Sequence, residues 1–191
     1  NFNLHVESKV SKVKSKLYAL RRLRNILPQS SLIKLYRSII QTGLDYSITV
    51  WGNTSQNNII NIDRQQKMAA RIIMDNFDFI NTRGDNLCNL LNLQCFQDRL
   101  KYSTCCLMYK CIHGLVPDYL SNHILYEFEI HNHVTRTAIN NDLYLPFPCI
   151  EQYKQSLFYN GAKTWNNLSN LVRDSTSLNT FKRNYKRSYF H

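Results

Sequence analysis

Val6, Val10, Val13, Leu17, Leu20 and Leu23 recur at steps of four and three, the spacing that lays one apolar seam along a helix of 3.6 residues per turn. A chain that opens this way has to bury the seam against other helices, so the expected fold class is mainly α. Lys9, Lys12 and Lys16 flank one edge of the seam, and Lys14 and Arg21 the other. Cations therefore stand on both shoulders of the buried stripe. Pro28 should stop the helix, because proline pushes the residue before it out of helical geometry.

Ser30 and Ser31 are good N-caps for a second helix with Leu32, Leu35, Tyr36, Ile39 and Ile40 inward and an interruption at Gly43. Residues 45–51 either continue that helix or run extended, and Trp51-Gly52-Asn53 reads as a turn. A third helix is expected over about residues 56–74, with Ile59, Ile60, Met68, Ala69, Ile72 and Ile73 inside. Three amphipathic helices with short connections predict a small bundle over residues 1–75. The polar stretch 75–85 with Gly84 marks a boundary, and residues 80–191 are expected to form a smaller helical domain. Its elements are a short helix at 86–92, a longer one at 95–112 closed by Gly114 and Pro117, and helices at 151–168 and 177–190. Between them, residues 122–150 read as an extended, loop-rich connector with one short strand pair.

The formal charge is +11, from 24 Lys and Arg against 13 Asp and Glu. Its distribution says more than its size. Residues 1–40 hold nine bases and one acid, 41–150 eight and ten, and 151–191 seven and two. Both ends suit a polyanion and the middle does not. In TFKRNYKRSYF, Phe181, Tyr185 and Tyr189 share one helical face, with Lys182, Arg183, Lys186 and Arg187 beside it. Such cations can track phosphates, while the rings, at the end of a domain, are expected in the core.

At 191 residues the chain is long enough for one sizeable core or two small ones without disulfide staples. Cys88, Cys95, Cys105, Cys106, Cys111 and Cys149 show no framework spacing, which fits a reducing interior, nucleus or cytoplasm. No run approaches the roughly 18 apolar residues of a membrane span, so no membrane partner is expected. The opening NFNLHVESKV has neither an apolar signal core nor an initiator methionine, which suggests a piece of a longer chain.

Catalytic constellations are hard to find. Two-metal phosphoryl chemistry needs converging carboxylates, and Asp45, Asp63, Asp75, Asp78, Asp85 and Asp98 are scattered. Cys105, Cys106, Cys111 and His113 could ligate zinc, but on one helix they would point around its axis, and buried core cysteines are the better reading. Five glycines form no phosphate-cradling loop. His123, His131 and His133 lack a nucleophile partner. No residue is assigned a catalytic or metal-binding role, and no cofactor is expected in the chain itself.

The order of motifs is more telling than any one of them. HVESKVSKVKSKLYALRRLRNILP, LIKLYRSIIQTGLDYSITVWGN, QQKMAARIIM, RLKYSTCCLMYKCIHGLVPDYL, TRTAINNDLYLPFP and FYNGAKTWNNLSNLVRDSTSLNTFKR follow one another along the chain. Together they resemble the region after the polymerase palm in non-LTR (LINE-type) retrotransposon reverse transcriptases. The most specific pieces are Leu44-Asp45-Tyr46 to Trp51-Gly52, Ala69-Ala70-Arg71-Ile72-Ile73, and Gly161-Ala162-Lys163 to Trp165-Asn166. The sequence departs from the family at Asn92-Leu93-Gln94, where a tryptophan and a proline are usual, and at Ser169, where proline is common.

The resemblance implies a three-helix thumb over residues 1–75, packing on a template-primer duplex of RNA and DNA, and a post-thumb domain over 80–191. The missing upstream palm would be its partner, and the catalytic aspartates and Mg²⁺ of the RNA-directed DNA polymerase would belong to that palm. Lys9, Lys12, Lys16, Arg21, Arg22 and Arg24, with Lys182, Arg183, Lys186 and Arg187, are the expected backbone contacts. The competing expectation is a non-enzymatic interaction or scaffold module whose basic ends meet an acidic partner.

Overall fold

Helix α1 (Asn3–Leu23) forms where the apolar seam predicts, burying Val6, Val13, Leu17 and Leu20 with Val10 and Leu23 packed at its margin. The computed structural model describes residues 2–130, 140–147 and 150–190. Among these the elements are helical, apart from one antiparallel bridge between Tyr126 and Leu143. The chain divides into two compact units, Asn1–Leu100 and Lys101–His191, and the polar stretch 75–85 lies within the first.

In unit 1 the second helix is one continuous run of α2 (Gln29–Leu35), a π-helical turn (Tyr36–Gln41) and α3 (Thr42–Asp45). It begins earlier than the two serines predict. The Pro28 carbonyl accepts the amides of Ser31 and Leu32 at 2.9 and 3.2 Å, so both serines lie inside the first turn. Gly43 does not interrupt it either, since packing against α1 outweighs the roughly 1 kcal/mol that glycine costs a helix.

The π turn explains which side chains point inward. Leu32, Tyr36, Ile40 and Leu44 are all buried at steps of four. In a plain α-helix each such step would drift by about 40° around the axis. The wider i to i+5 turn takes the drift back. Ile39, expected inside, is consequently exposed.

Beyond Asp45 the backbone neither continues the helix nor forms a strand. Tyr46 is extended, Ser47 is left-handed at φ 53°, and one turn of α4 (Ile48–Trp51) follows. A Cβ on Gly52 would collide with the Ile48 carbonyl and stand 2.8 Å from Leu100 Cδ1, so this corner requires glycine. Trp51 is buried against Phe96, with ring centroids 5.4 Å apart, and donates its indole N–H to the Tyr46 carbonyl at 2.9 Å.

Helix α5 (Gln56–Met74) has the expected bounds but a different inner face. Ile59, Ile62, Gln66, Ala69, Ala70, Ile72 and Ile73 are buried, whereas Ile60 and Met68 reach solvent. The face that runs Ile59, Ile62, Gln66, Ala69, Ile73 keeps the 3.6-residue period, and Ile60 and Met68 each sit about 100° off it. Helix α6 (Gly84–Leu90) and the first turn of α7 (Phe96–Ile112) complete the unit's core with Leu87, Cys88, Phe96 and Leu100.

Unit 2 takes the rest of α7 and four short or single-turn helices: α8 (Asp118–Ser121), α9 (Glu127–Ile130), α10 (Glu151–Lys154) and α12 (Asn170–Arg173). Its core is made by α7, α11 (Leu157–Asn166) and α13 (Leu178–Tyr189), around Cys105, Met108, Tyr109, Trp165, Phe181 and Tyr185. The single helix expected over 151–168 is broken, because the Ser156 hydroxyl accepts the Tyr159 amide at 3.3 Å and starts α11 afresh. Asn166 holds Leu143 from both sides, receiving its amide at 2.9 Å and donating to its carbonyl at 2.8 Å. Of the connector's expected strand pair, one bridge forms among the described residues.

Candidate functional site

The basic edge of α1 faces the end of the broken second helix. A groove of about 330 Å³ runs there, lined by His5, Ser8, Lys9, Lys12, Lys16 and Tyr46 among others. Its cations are placed by the helix break. A helix end leaves carbonyls without intrahelical donors, and along this broken helix lysine ammoniums bond to carbonyls. Lys16 Nζ donates to the Ile39 carbonyl at 3.0 Å, and Lys9 Nζ to the Gly43 carbonyl at 2.8 Å and the Tyr46 carbonyl at 3.4 Å. Lys9 also lies 4.9 Å from the Trp51 ring centroid.

Burial, then repulsion from Lys12, holds the Lys9 ammonium below the usual lysine value; Asp45 pulls the other way and Lys16 adds to the repulsion. Three cations crowd one groove, and the carbonyls that hold Lys9 and Lys16 orient their charge without cancelling it. Lys12 and Arg22 are exposed and meet no hydrogen-bond or ion-pair partner among the described residues.

Two further arginines stand at the end of α1, Arg21 in its last turn and Arg24 at its C-cap. Arg24 Nη1 pairs with Asp75 Oδ1 at 2.6 Å, the Arg24 side chain being 24% exposed and that of Asp75 63%. The Arg21 and Arg24 guanidiniums each lie 5.2 Å from the Phe77 ring.

Helix α13 carries the second expected set, in the other unit. Phe181 and Tyr185 are core, with Phe181 stacked on Trp165 at 5.7 Å. Tyr189 is more exposed, and its hydroxyl accepts the Ser169 amide at 3.2 Å. Arg183 and Arg187 are exposed, Lys182 is half-buried, and Lys186 lies 5.6 Å from the Tyr102 ring.

Each of the three distinctive motif blocks proves to be a packing device. Asp45 binds Arg99, Nε to Oδ1 at 2.8 Å, within a network that includes Gln66 and the Gln94 carbonyl. Arg71 is buried beneath the loop after α5. Gly161 lets α11 close on α7, since a Cβ there would stand 2.6 Å from Met108 Sδ. The sequence shows such residues without showing their partners, which are the Arg99 side chain for Asp45, loop carbonyls for Arg71 and the Met108 side chain for Gly161.

Among the described residues no three His, Cys, Asp or Glu side chains gather to hold a metal ion, and the Mg²⁺ that the resemblance places upstream has no ligand set in them. The five described cysteines are free. Burial lifts the Cys105 thiol to about 12 and the Cys88 thiol to about 11, away from the thiolate form that reacts. His113 lies exposed against Tyr109, and His123 against Phe158. His131, His133 and Cys149 lie outside the described residues. No described helix is long and apolar enough to cross a membrane. No protein-family model matches the chain, and no curated protein or solved structure matches it.

Proposed function

We propose that this chain is a nucleic-acid-holding segment, the thumb (residues 1–75) and post-thumb (80–191) part of a non-LTR retrotransposon reverse transcriptase. In this reading it grips the template-primer backbone and performs no chemistry itself. The supporting observation is the α1 groove, where Lys9, Lys12 and Lys16 crowd together and Lys9 is destabilised as a cation. A phosphate oxygen relieves that repulsion, and the carbonyl-held ammoniums are already aimed. Arg21 and Arg22 extend the charge along α1; Lys182, Arg183, Lys186 and Arg187 give unit 2 its own basic helix.

A filter-binding titration against an RNA·DNA hybrid over a range of salt tests this reading. Affinity should fall linearly on log-log axes, and Lys12→Gln should lessen the slope by about one. Backbone contacts alone give no sequence preference. Binding indifferent to salt overturns the proposal.

The internal ties of Lys9, Lys16 and Arg24 favour a second reading, a scaffold module whose cations mainly serve its own fold. That reading expects the Lys12→Gln variant to bind as the parent does.

A further inference from the structure

Arg71 has its side chain under the loop 76–82, with 5% of the residue exposed. A guanidinium taken out of water is costly unless its donors are met, and here loop carbonyls meet them. Nη1 donates to the Asp78 carbonyl at 2.8 Å and Nη2 to the Thr82 carbonyl at 2.7 Å. Asp78 fixes the loop from within, its carboxylate accepting the Ile80 and Asn81 amides at 3.0 and 2.9 Å. The result is a short loop of set shape whose tip is apolar. Ile80 is 93% exposed and Phe79 63%.

The Phe79 ring lies over Arg71, with its centroid 4.2 Å from Cζ, so its exposure belongs to the outer face and edge. A cation beneath one face draws the ring's electrons toward it and leaves the outer face better matched to an electron-rich π surface. At the loop's root, Phe77 contacts Arg21 and Arg24, so the loop leaves α5 beside the arginine end of α1. Arg22 and Arg83 are exposed, Asp75 is paired with Arg24, and the Asp78 carboxylate is taken up by loop amides. A cation-backed ring, an aliphatic side chain and neighbouring arginines together match an unpaired nucleobase and its phosphates.

We infer that Phe79 and Ile80 form a stacking tip for an unpaired nucleobase, in a single-stranded overhang beside a duplex, with Arg21 and Arg22 taking the adjoining phosphates. This rests on the nucleic-acid reading above and adds the point at which bases, rather than phosphates, are touched.

The test uses the whole chain with two probes, a blunt RNA·DNA hybrid and the same hybrid with an overhang bearing 2-aminopurine. The overhang should bind more tightly than the blunt probe and lose fluorescence on binding. Phe79→Ala should abolish the quenching, lower overhang affinity about tenfold and leave the salt slope unchanged; Phe79→Trp should restore both. Because Phe79 also covers Arg71, Ile80→Ser supplies a second variant with little bearing on the fold, expected to weaken the overhang preference. Salt-dependent binding of both probes alike, untouched by either variant, overturns the tip and leaves the nucleic-acid reading standing. Binding of neither probe overturns both.

Discussion

Arg99 reaches Asp45 across 54 positions of sequence, Nε to Oδ1 at 2.8 Å, and the same guanidinium donates through Nη1 to Gln66 Oε1 and the Gln94 carbonyl, both at 2.7 Å. One buried cation thereby ties α3, α5 and the start of α7. Asp45→Ala leaves that cation without its counter-charge and should cost about 3 kcal/mol. Asp45→Asn keeps an acceptor and should cost less. Urea midpoints of the two variants check the order, and an alanine variant as stable as the parent would contradict it.

Tyr36 is 0% exposed, and its hydroxyl has no hydrogen-bond partner among the described residues. Burial accordingly pushes the phenol well above its ordinary titration range. Removing a buried hydroxyl that bonds to nothing should not cost stability. Tyr36→Phe is expected to match or exceed the parent, by about 1 kcal/mol. A clear loss in thermal or chemical denaturation would show that the hydroxyl does have a partner.

Asp63, on α5, faces the start of α7, where burial raises its carboxyl above the usual value of 3.8, while the Phe96 amide, Lys67 and Arg99 oppose the shift and Asp85 adds to it. A carboxyl with a raised folded pKa contributes fully only below its unfolded pKa, and that contribution is lost as pH rises through the folded value. Asp63→Asn keeps an oxygen for the Phe96 amide and removes the titration. It should be more stable than the parent at neutral pH, with the difference shrinking as pH falls through the raised folded value and levelling off below 3.8. Paired denaturation curves at several pH values decide the matter; a constant difference would rule out titration at this site as its origin.

Helix α5 was legible almost to the residue, because a 19-residue run between Ser55 and Asp75 carries enough periodicity to show its ends. Its inner face was less so. Gln66 and Arg71 look solvent-facing by polarity, yet both are buried because backbone carbonyls receive their hydrogen bonds. The lysines of α1 were legible as a basic edge. Their aim was not, since it is set by the Ile39, Gly43 and Tyr46 carbonyls, which lie 23, 34 and 37 positions from the lysines they receive. The loop 76–82 read as a polar boundary for a related reason, its rigidity coming from one arginine outside it and one aspartate within.

The widened turn at Tyr36–Gln41 also bears on how this chain can change length. A π turn fits one more residue into a helix than the span between its flanks requires. Deleting a single residue there, such as the exposed Ile39, would tighten the helix to regular α geometry while Leu32 and Leu44 kept their facing. The same deletion within α5 would swing everything beyond it by about 100° and pull the inner face apart. Relatives that differ by one position in this part of the chain would therefore share its core, and the mark of the difference would be the ammonium of Lys16 losing its carbonyl.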